Sequence, residues 1–147
     1  MSNREQMLQT IGEGYQARVR GDVDSFMQVF TPDARFTLNA SPHQPAVSMH
    51  TEGAASLRTA ITQLIGAFEF QKLDIIDSVV EGSKAAIRIR FTVRSHATGK
   101  TAVTESLDLV EFRDGKVSSY TQFFDTAIAD RLTVPVAGDM TSAMSAG

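Results

Sequence analysis

The hydrophobic pattern of this chain changes from a helical period to strict alternation near residue 70, and that change restricts the fold more than any other feature. Before it, apolar residues recur every three or four positions, which predicts amphipathic helices. After it, apolar and polar residues alternate through long segments separated by turn residues, which predicts antiparallel strands. Helices followed by a run of strands are typical of an α+β domain.

The first half of the chain predicts three helices. We expect one over residues 5–20, a short second helix capped by Asp22, and a third that follows Gly53. Between them, residues 35–39 alternate like a strand, and the proline-containing stretch 40–45 is expected to be a loop.

The second half predicts four strands. They cover residues 70–80, 85–96, 101–112 and 116–125, with turn residues between them. We therefore expect one domain over residues 1–127, followed by a tail over residues 128–147 that is rich in Ala, Met, Ser and Gly.

Composition excludes several classes of protein. The chain has 147 residues, no cysteine and a formal net charge of −3, so disulfides are absent and a nucleic-acid partner is not expected. No apolar run approaches the roughly 20 residues of a membrane helix, and no secretory signal is apparent. We expect a cytoplasmic protein without a membrane partner.

An isolated carboxylate, Asp108, lies in the middle of an apolar predicted strand. Burying such a group is costly unless it is hydrogen-bonded or neutral, so it predicts either a site or a structural network. A two-residue turn at Thr98-Gly99 would place Asp108 opposite Ile89. It would then share the more apolar, inner face of the sheet with Ser106.

The next hairpin leaves two alignments open. A two-residue turn at Asp114-Gly115 would set Asp108 opposite Thr121. A three-residue turn over 113–115 would set it opposite Tyr120 and near Gln122, and we favour this alignment because it puts Gly115 at the left-handed position. Tyr120, Gln122 and Phe124 would then point inward.

Several short motifs, in order, resemble one known superfamily. The motifs are Arg20-Gly21-Asp22, residues 30–34, Glu52-Gly53 before a helix, and residues 112–117 leading to 123–125. In these the chain resembles the nuclear-transport-factor-2-like superfamily, which includes ketosteroid isomerases and SnoaL-like polyketide cyclases. The resemblance covers about residues 6–125. It implies a cone-shaped α+β fold in which N-terminal helices pack on a curved mixed or antiparallel sheet.

The resemblance also implies candidate catalytic residues. Ketosteroid isomerases use an Asp base, and a Tyr and a protonated Asp that bind the enolate oxygen. Asp108 is similar in position to the oxyanion Asp, and Tyr15 lies near the oxyanion Tyr. The base position matches Leu38, which cannot accept a proton, so steroid isomerase activity is not expected.

The remaining candidates are residues expected to line an internal apolar pocket. Only His50 among them could act as a base besides Asp108. The histidines His43, His50 and His96 have no metal-ligand spacing, so neither a metal nor a cofactor is expected. The ligand-binding candidates are Phe30, Leu38, His50, Ile61, Leu64, Ile89, Phe91, Ser106, Tyr120, Gln122 and Phe124.

Two functions from different classes fit this pattern. One is a cofactor-free isomerase, cyclase or hydrolase that acts on a small hydrophobic carbonyl or epoxide compound. The other is a non-catalytic protein that binds a small hydrophobic molecule in the same pocket. The outer sheet face, with Arg88, Arg90 and Glu105 around Leu107 and Leu109, also predicts a homodimer. A module that binds another protein through this face is the weaker reading.

Overall fold

The structure, a computed structural model, describes residues 3–39 and 49–133 of the chain. Four helices and six strands lie within these ranges. In chain order they are α1 (Asn3–Arg20), α2 (Val23–Met27), β1 (Phe30–Asn39), β2 (Met49–Glu52), α3 (Ala54–Ala67), β3 (Phe68–Glu81), β4 (Lys84–Ser95), β5 (Thr101–Arg113), β6 (Lys116–Phe124) and α4 (Thr126–Thr133).

The strands form one mixed sheet in the order β2-β1-β6-β5-β4-β3. The pair β1 and β6 is parallel, and every other neighbouring pair is antiparallel. Helix α1 contacts β3, and α3 contacts β1, β2 and β3. Apolar residues of both helices and of the inner sheet face are buried together in one core. This architecture confirms the predicted α+β fold.

The helix boundaries follow from local sequence. Helix α1 buries Met7, Ile11 and Tyr15, which recur at a spacing of four and so form one stripe. The side chain of Asp22 caps α2 by accepting a hydrogen bond of 3.1 Å from the Ser25 amide, as expected of an N-cap.

The hairpin between β4 and β5 differs from the predicted alignment by two residues. Asp108 lies opposite Ile87 rather than Ile89, because the loop is longer than the predicted two-residue turn. The Gly99 amide bonds back to the Ser95 carbonyl at 2.8 Å, which closes the longer loop. An even shift keeps every side chain on its predicted face, so Asp108 still points inward.

The preferred alignment of the β5–β6 hairpin is wrong, although its inward face is right. The turn consists of Asp114 and Gly115, both with positive φ (53° and 80°), as in a type I′ turn. A bulge follows, at which one extra residue, Ser118, enters β6. The bulge restores the parity that the shorter turn would have changed. Asp108 therefore lies opposite Gln122, and the alternate residues of β6 from Tyr120 onward face inward.

Two elements have no counterpart in the sequence-based prediction. Strand β2 pairs with β1, and helix α4 spans the expected domain boundary after residue 127. Helix α4 docks on the β4–β5 loop, where the Thr98 hydroxyl donates to the Leu132 carbonyl at 2.6 Å and the Lys100 ammonium donates to the Arg131 carbonyl at 3.1 Å. Residues 134–147 of the expected tail, and His43, lie outside the described ranges. Over those ranges, no helix has both the length and the apolarity needed to cross a bilayer.

Candidate functional site

Asp108 lies at the centre of the sheet and is fully buried. It is on β5, between Ile87 of β4 and Gln122 of β6, with an exposed fraction of 0%. Its sequence neighbours Leu107 and Leu109 point to the opposite face and are exposed, as strand alternation requires. The carboxylate is therefore inside the fold and depends on protein groups for its hydrogen bonds.

Four side chains donate hydrogen bonds to this carboxylate. The Tyr15 hydroxyl lies 2.5 Å from Oδ2, and the Tyr120 hydroxyl and the Gln122 amide (3.4 Å) contact the same oxygen. The Ser106 hydroxyl donates to Oδ1 at 3.2 Å. Gln122 also donates to the Tyr120 hydroxyl at 3.2 Å. One helix and two strands thus converge on a single buried acid.

Burial changes the proton affinity of all three acidic groups in this network. Desolvation raises the pKa of Asp108 above its ordinary value, and the hydrogen bonds from Tyr120, Tyr15 and Gln122 oppose that rise. Desolvation and the neighbouring Asp108 charge raise the pKa of both tyrosines well above their ordinary value. The tyrosines therefore stay neutral, and Asp108 is the group of the three that most readily changes charge.

A cavity of about 150 Å³ lies beside this network. Helix α4 contributes Ile128 and Leu132 to its wall, and the inner faces of the strands and α3 supply most of the rest. Phe70 and Phe91 stack in that wall with their ring centroids 4.3 Å apart. Tyr15, Tyr120, Gln122, Thr104, Arg18 and Asp125 are the polar residues that reach the cavity, and the other lining residues are apolar.

Most of the residues predicted from the sequence surround this cavity. The predicted site residues in its wall are Tyr15, Leu38, Ile61, Leu64, Phe91, Tyr120, Gln122 and Phe124. Asp108 and Ser106 lie behind the two tyrosines and do not line the cavity. Phe30 and Ile89 are buried in the core away from the lining.

His50 is apart from the other candidates. It lies on β2, its side chain is 54% exposed, and it does not line the cavity. Its Nδ1 is 2.8 Å from the Thr37 hydroxyl, and its Nε2 is 3.3 Å from a Glu52 oxygen. These contacts lie at the surface, at the β2 edge of the sheet.

Sequence reasoning missed twelve of the lining residues, among them Arg18 and three residues of helix α4. Arg18 lies one helical turn after Tyr15, a spacing that places both side chains on one face of α1. Helix α4 adds Ile128 and Leu132, which are four residues apart, but a helix of 8 residues is too short for this spacing to stand out in the sequence. Among the residues that the structure describes, no three His, Asp, Glu or Cys side chains are grouped as metal ligands.

Comparison with known proteins identifies the family. The model of the SnoaL-like domain matches residues 11–120. The chain therefore belongs to the SnoaL-like domain family, within the nuclear-transport-factor-2-like superfamily. Among curated proteins, no sequence matches it.

Solved structures share the fold at low sequence identity. A Bacillus subtilis protein provisionally called an isomerase is 14% identical with a TM-score of 0.81, covering 90% of this chain and 95% of its own. A Burkholderia pseudomallei protein of the same superfamily, of unknown function, is 22% identical with a TM-score of 0.78, covering 91% and 100%. An M. tuberculosis LEH-like epoxide hydrolase is 12% identical with a TM-score of 0.69, covering 87% and 90%. At such identities the likeness shows the fold alone.

Proposed function

We propose that this protein is a cofactor-free enzyme that acts on a small hydrophobic carbonyl or epoxide compound, as an isomerase, cyclase or hydrolase. One observation carries the proposal. Tyr15 and Tyr120 both line the cavity, and both hydroxyls contact the same buried oxygen of Asp108. The protonation state of the buried Asp108 can therefore affect the two hydroxyls that line the cavity. Fold relatives described as an isomerase and an epoxide hydrolase are consistent with this class.

The three reaction types share one requirement that this arrangement meets. Enolisation, cyclisation through an enolate and epoxide opening all build negative charge on a substrate oxygen, which a preorganised donor in a dry cavity stabilises. When Asp108 holds a proton it can donate to one tyrosine, whose own hydroxyl is then free to donate to substrate. Desolvation, which raises the pKa of Asp108, favours that protonated state.

The volume of the cavity suits a small substrate. An apolar cavity of about 150 Å³ in another protein holds benzene, and this one has a similar volume. A compound with a single ring or a short chain fits this space. Leu38 lies in the wall and supplies no base.

The test is turnover of single-ring ketones, lactones and epoxides, followed by chromatography with mass detection. We expect a product whose rate of formation falls about 100-fold in Tyr15→Phe, the usual loss when one oxyanion donor is removed. The matched control is Thr104→Val, which removes a hydroxyl from the same cavity without touching Asp108. Turnover that survives both Tyr15→Phe and Tyr120→Phe would contradict the proposal.

A non-catalytic binding protein is the second candidate, and one observation favours it. Among the described lining residues, Asp125 is the single carboxylate, and it accepts hydrogen bonds from the amides of Ala127 and Ile128 at the start of α4. Tight binding of a panel compound, with no conversion over hours, would support this function. Any product would exclude it.

We further propose that two copies associate through the outer sheet face. Leu107 and Leu109 of β5 and Phe123 of β6 are each more than 40% exposed there, and Leu107 lies directly opposite Phe123. Beside them, Glu105 pairs with two arginines of β4. An exposed apolar strip with a charged margin is typical of a self-complementary interface.

A further inference from the structure

Arg18 is a buried cation in the wall of a mostly apolar cavity. Only 8% of the residue is exposed, and it lines the cavity beside Phe70. Removing a charge from water is costly unless hydrogen bonds or an opposite charge compensate for it. The partners of Arg18 therefore indicate what the cavity is suited to hold.

Part of this guanidinium is held by the protein itself. Its Nη2 donates to the Phe68 carbonyl at 2.7 Å and to the Leu64 carbonyl at 3.4 Å. Its central carbon lies 3.8 Å from the centroid of the Phe70 ring, a cation–π contact. The carbonyls belong to the C-terminal end of α3, where the helix dipole also favours a cation. These contacts fix the position of the group and use one of its three nitrogens.

The rest of the guanidinium has no partner within the described residues. Nε and Nη1 make no hydrogen bond there, and Arg18 forms no ion pair with any described carboxylate, Asp125 of the cavity wall included. Burial lowers the pKa of Arg18 to about 10, so the group remains charged at neutral pH. The cavity therefore contains a fixed positive charge with unused N–H donors.

We propose that the ligand of this cavity is a small carboxylic acid, with its carboxylate on the free N–H groups of Arg18 and its apolar body against the phenylalanines. This inference rests on the proposed function, because it names the substrate class of the same cavity. A carboxylate accepts charge-assisted hydrogen bonds from a guanidinium, which are stronger than neutral ones. Tyr15 lies one turn away on the same helix face and lines the same cavity.

The experiment compares matched acids and amides by isothermal titration calorimetry on the full chain at pH 7.5. The pairs are benzoate with benzamide, phenylacetate with phenylacetamide, and hexanoate with hexanamide. We expect at least one acid to bind about tenfold or more tightly than its amide, as hydrogen bonds to a charged group allow. Equal or weaker binding of the acid in all three pairs would overturn the inference.

Two variants then test whether Arg18 causes the preference for acids over amides. Arg18→Gln keeps a donor for the Phe68 carbonyl and removes the charge, so the acid should lose its advantage while the amide keeps its affinity. Arg18→Lys keeps the charge and should retain part of the preference. An acid preference that persists in Arg18→Gln would contradict the assignment, and circular dichroism of each variant checks that it is folded.

The outcomes separate this inference from the proposed enzyme. Amides that bind as well as acids leave the apolar cavity in place and refute only the carboxylate preference. A clear acid preference without turnover of any compound supports the role of Arg18 and refutes catalysis. If neither acids nor amides bind, the inference about Arg18 fails, whereas the proposed enzyme stands or falls on the turnover of ketones, lactones and epoxides.

Discussion

Two opposing effects act on Asp108. Burial disfavours its charge, whereas hydrogen bonds from Tyr120 and Tyr15 favour it. The net effect is a raised pKa, so desolvation is the stronger of the two. The native state thus holds a proton on this acid more readily than the unfolded chain does, and that difference links folding to pH.

The first prediction follows from this linkage. The native state binds more protons than the unfolded state between the ordinary pKa of the Asp108 carboxyl, 3.8, and its raised value, so stability decreases as pH rises through that window. Asp108→Asn cannot titrate and lacks this contribution. In urea unfolding from pH 4 to pH 8, wild type should gain stability relative to Asp108→Asn as the pH falls. A difference that is constant, or that changes in the opposite direction, would contradict the raised pKa.

The second prediction concerns the Tyr120 hydroxyl. Tyr120→Phe keeps the ring that stacks on Phe36, with centroids 5.4 Å apart, and removes one donor to Asp108. Removing this donor leaves a buried acceptor with one hydrogen bond fewer, which should lower the free energy of unfolding by about 1–3 kcal/mol. The cost should shrink when Asp108→Asn is already present, because the Asn amide offers one neutral acceptor oxygen in place of the carboxyl group. Equal costs in both backgrounds, from urea unfolding, would show that the two groups are not coupled.

At the scale of elements, the sequence predicted which face of each strand is buried better than it predicted how neighbouring strands are aligned. Alternation of apolar residues decides which face of a strand is buried, so the inward position of Asp108 and Tyr120 could be predicted. Loop closure and bulges depend on individual backbone hydrogen bonds and dihedral angles, which periodicity does not report. Both hairpins therefore differ from the predicted alignments by amounts that leave the faces unchanged.

Hydrophobic periodicity likewise predicted only part of the candidate site. Apolar and aromatic wall residues such as Leu38, Phe91 and Phe124 could be predicted because they belong to periodic segments. Arg18 could not, because a charged residue near the end of a helix is ordinarily exposed, and its burial depends on contacts with Phe68 and Phe70 from a distant strand. Helix α4 was missed because it has only 8 residues, too few for a helical period to stand out, and it is held by docking on the β4–β5 loop.

The third prediction compares two glycines at which substitution by alanine should have opposite effects on stability. Gly115 has a φ of +80° in the β5–β6 turn, so Gly115→Ala should destabilise the protein by about 1–2 kcal/mol. Gly12 lies inside α1, and an added Cβ would have no neighbour within 4 Å. Gly12→Ala should therefore stabilise the protein by about 0.5–1 kcal/mol. Thermal or urea unfolding compares the two variants, and a shift in the same direction for both would contradict the turn geometry.

For the whole molecule, the outer face of the sheet is the feature that the single chain leaves unexplained. Its exposed apolar residues lie on neighbouring central strands, where no helix of the described ranges covers them. The inner face already packs against the helices, so the two faces have separate roles. An interface on the outer face would leave the cavity open to its ligand.

The fourth prediction tests this separation. Leu107→Glu introduces a charge at the centre of the exposed strip, next to Phe123, and like charges would then meet across a two-fold interface. Light scattering should give twice the chain mass of 16.0 kDa for wild type and the chain mass for Leu107→Glu. Ala55→Glu, which adds the same charge on the exposed side of α3, should stay dimeric.

Wild type at the mass of a single chain would refute the dimer. If the monomeric variant still binds the same small molecules, the cavity is complete within one chain, as its lining residues indicate.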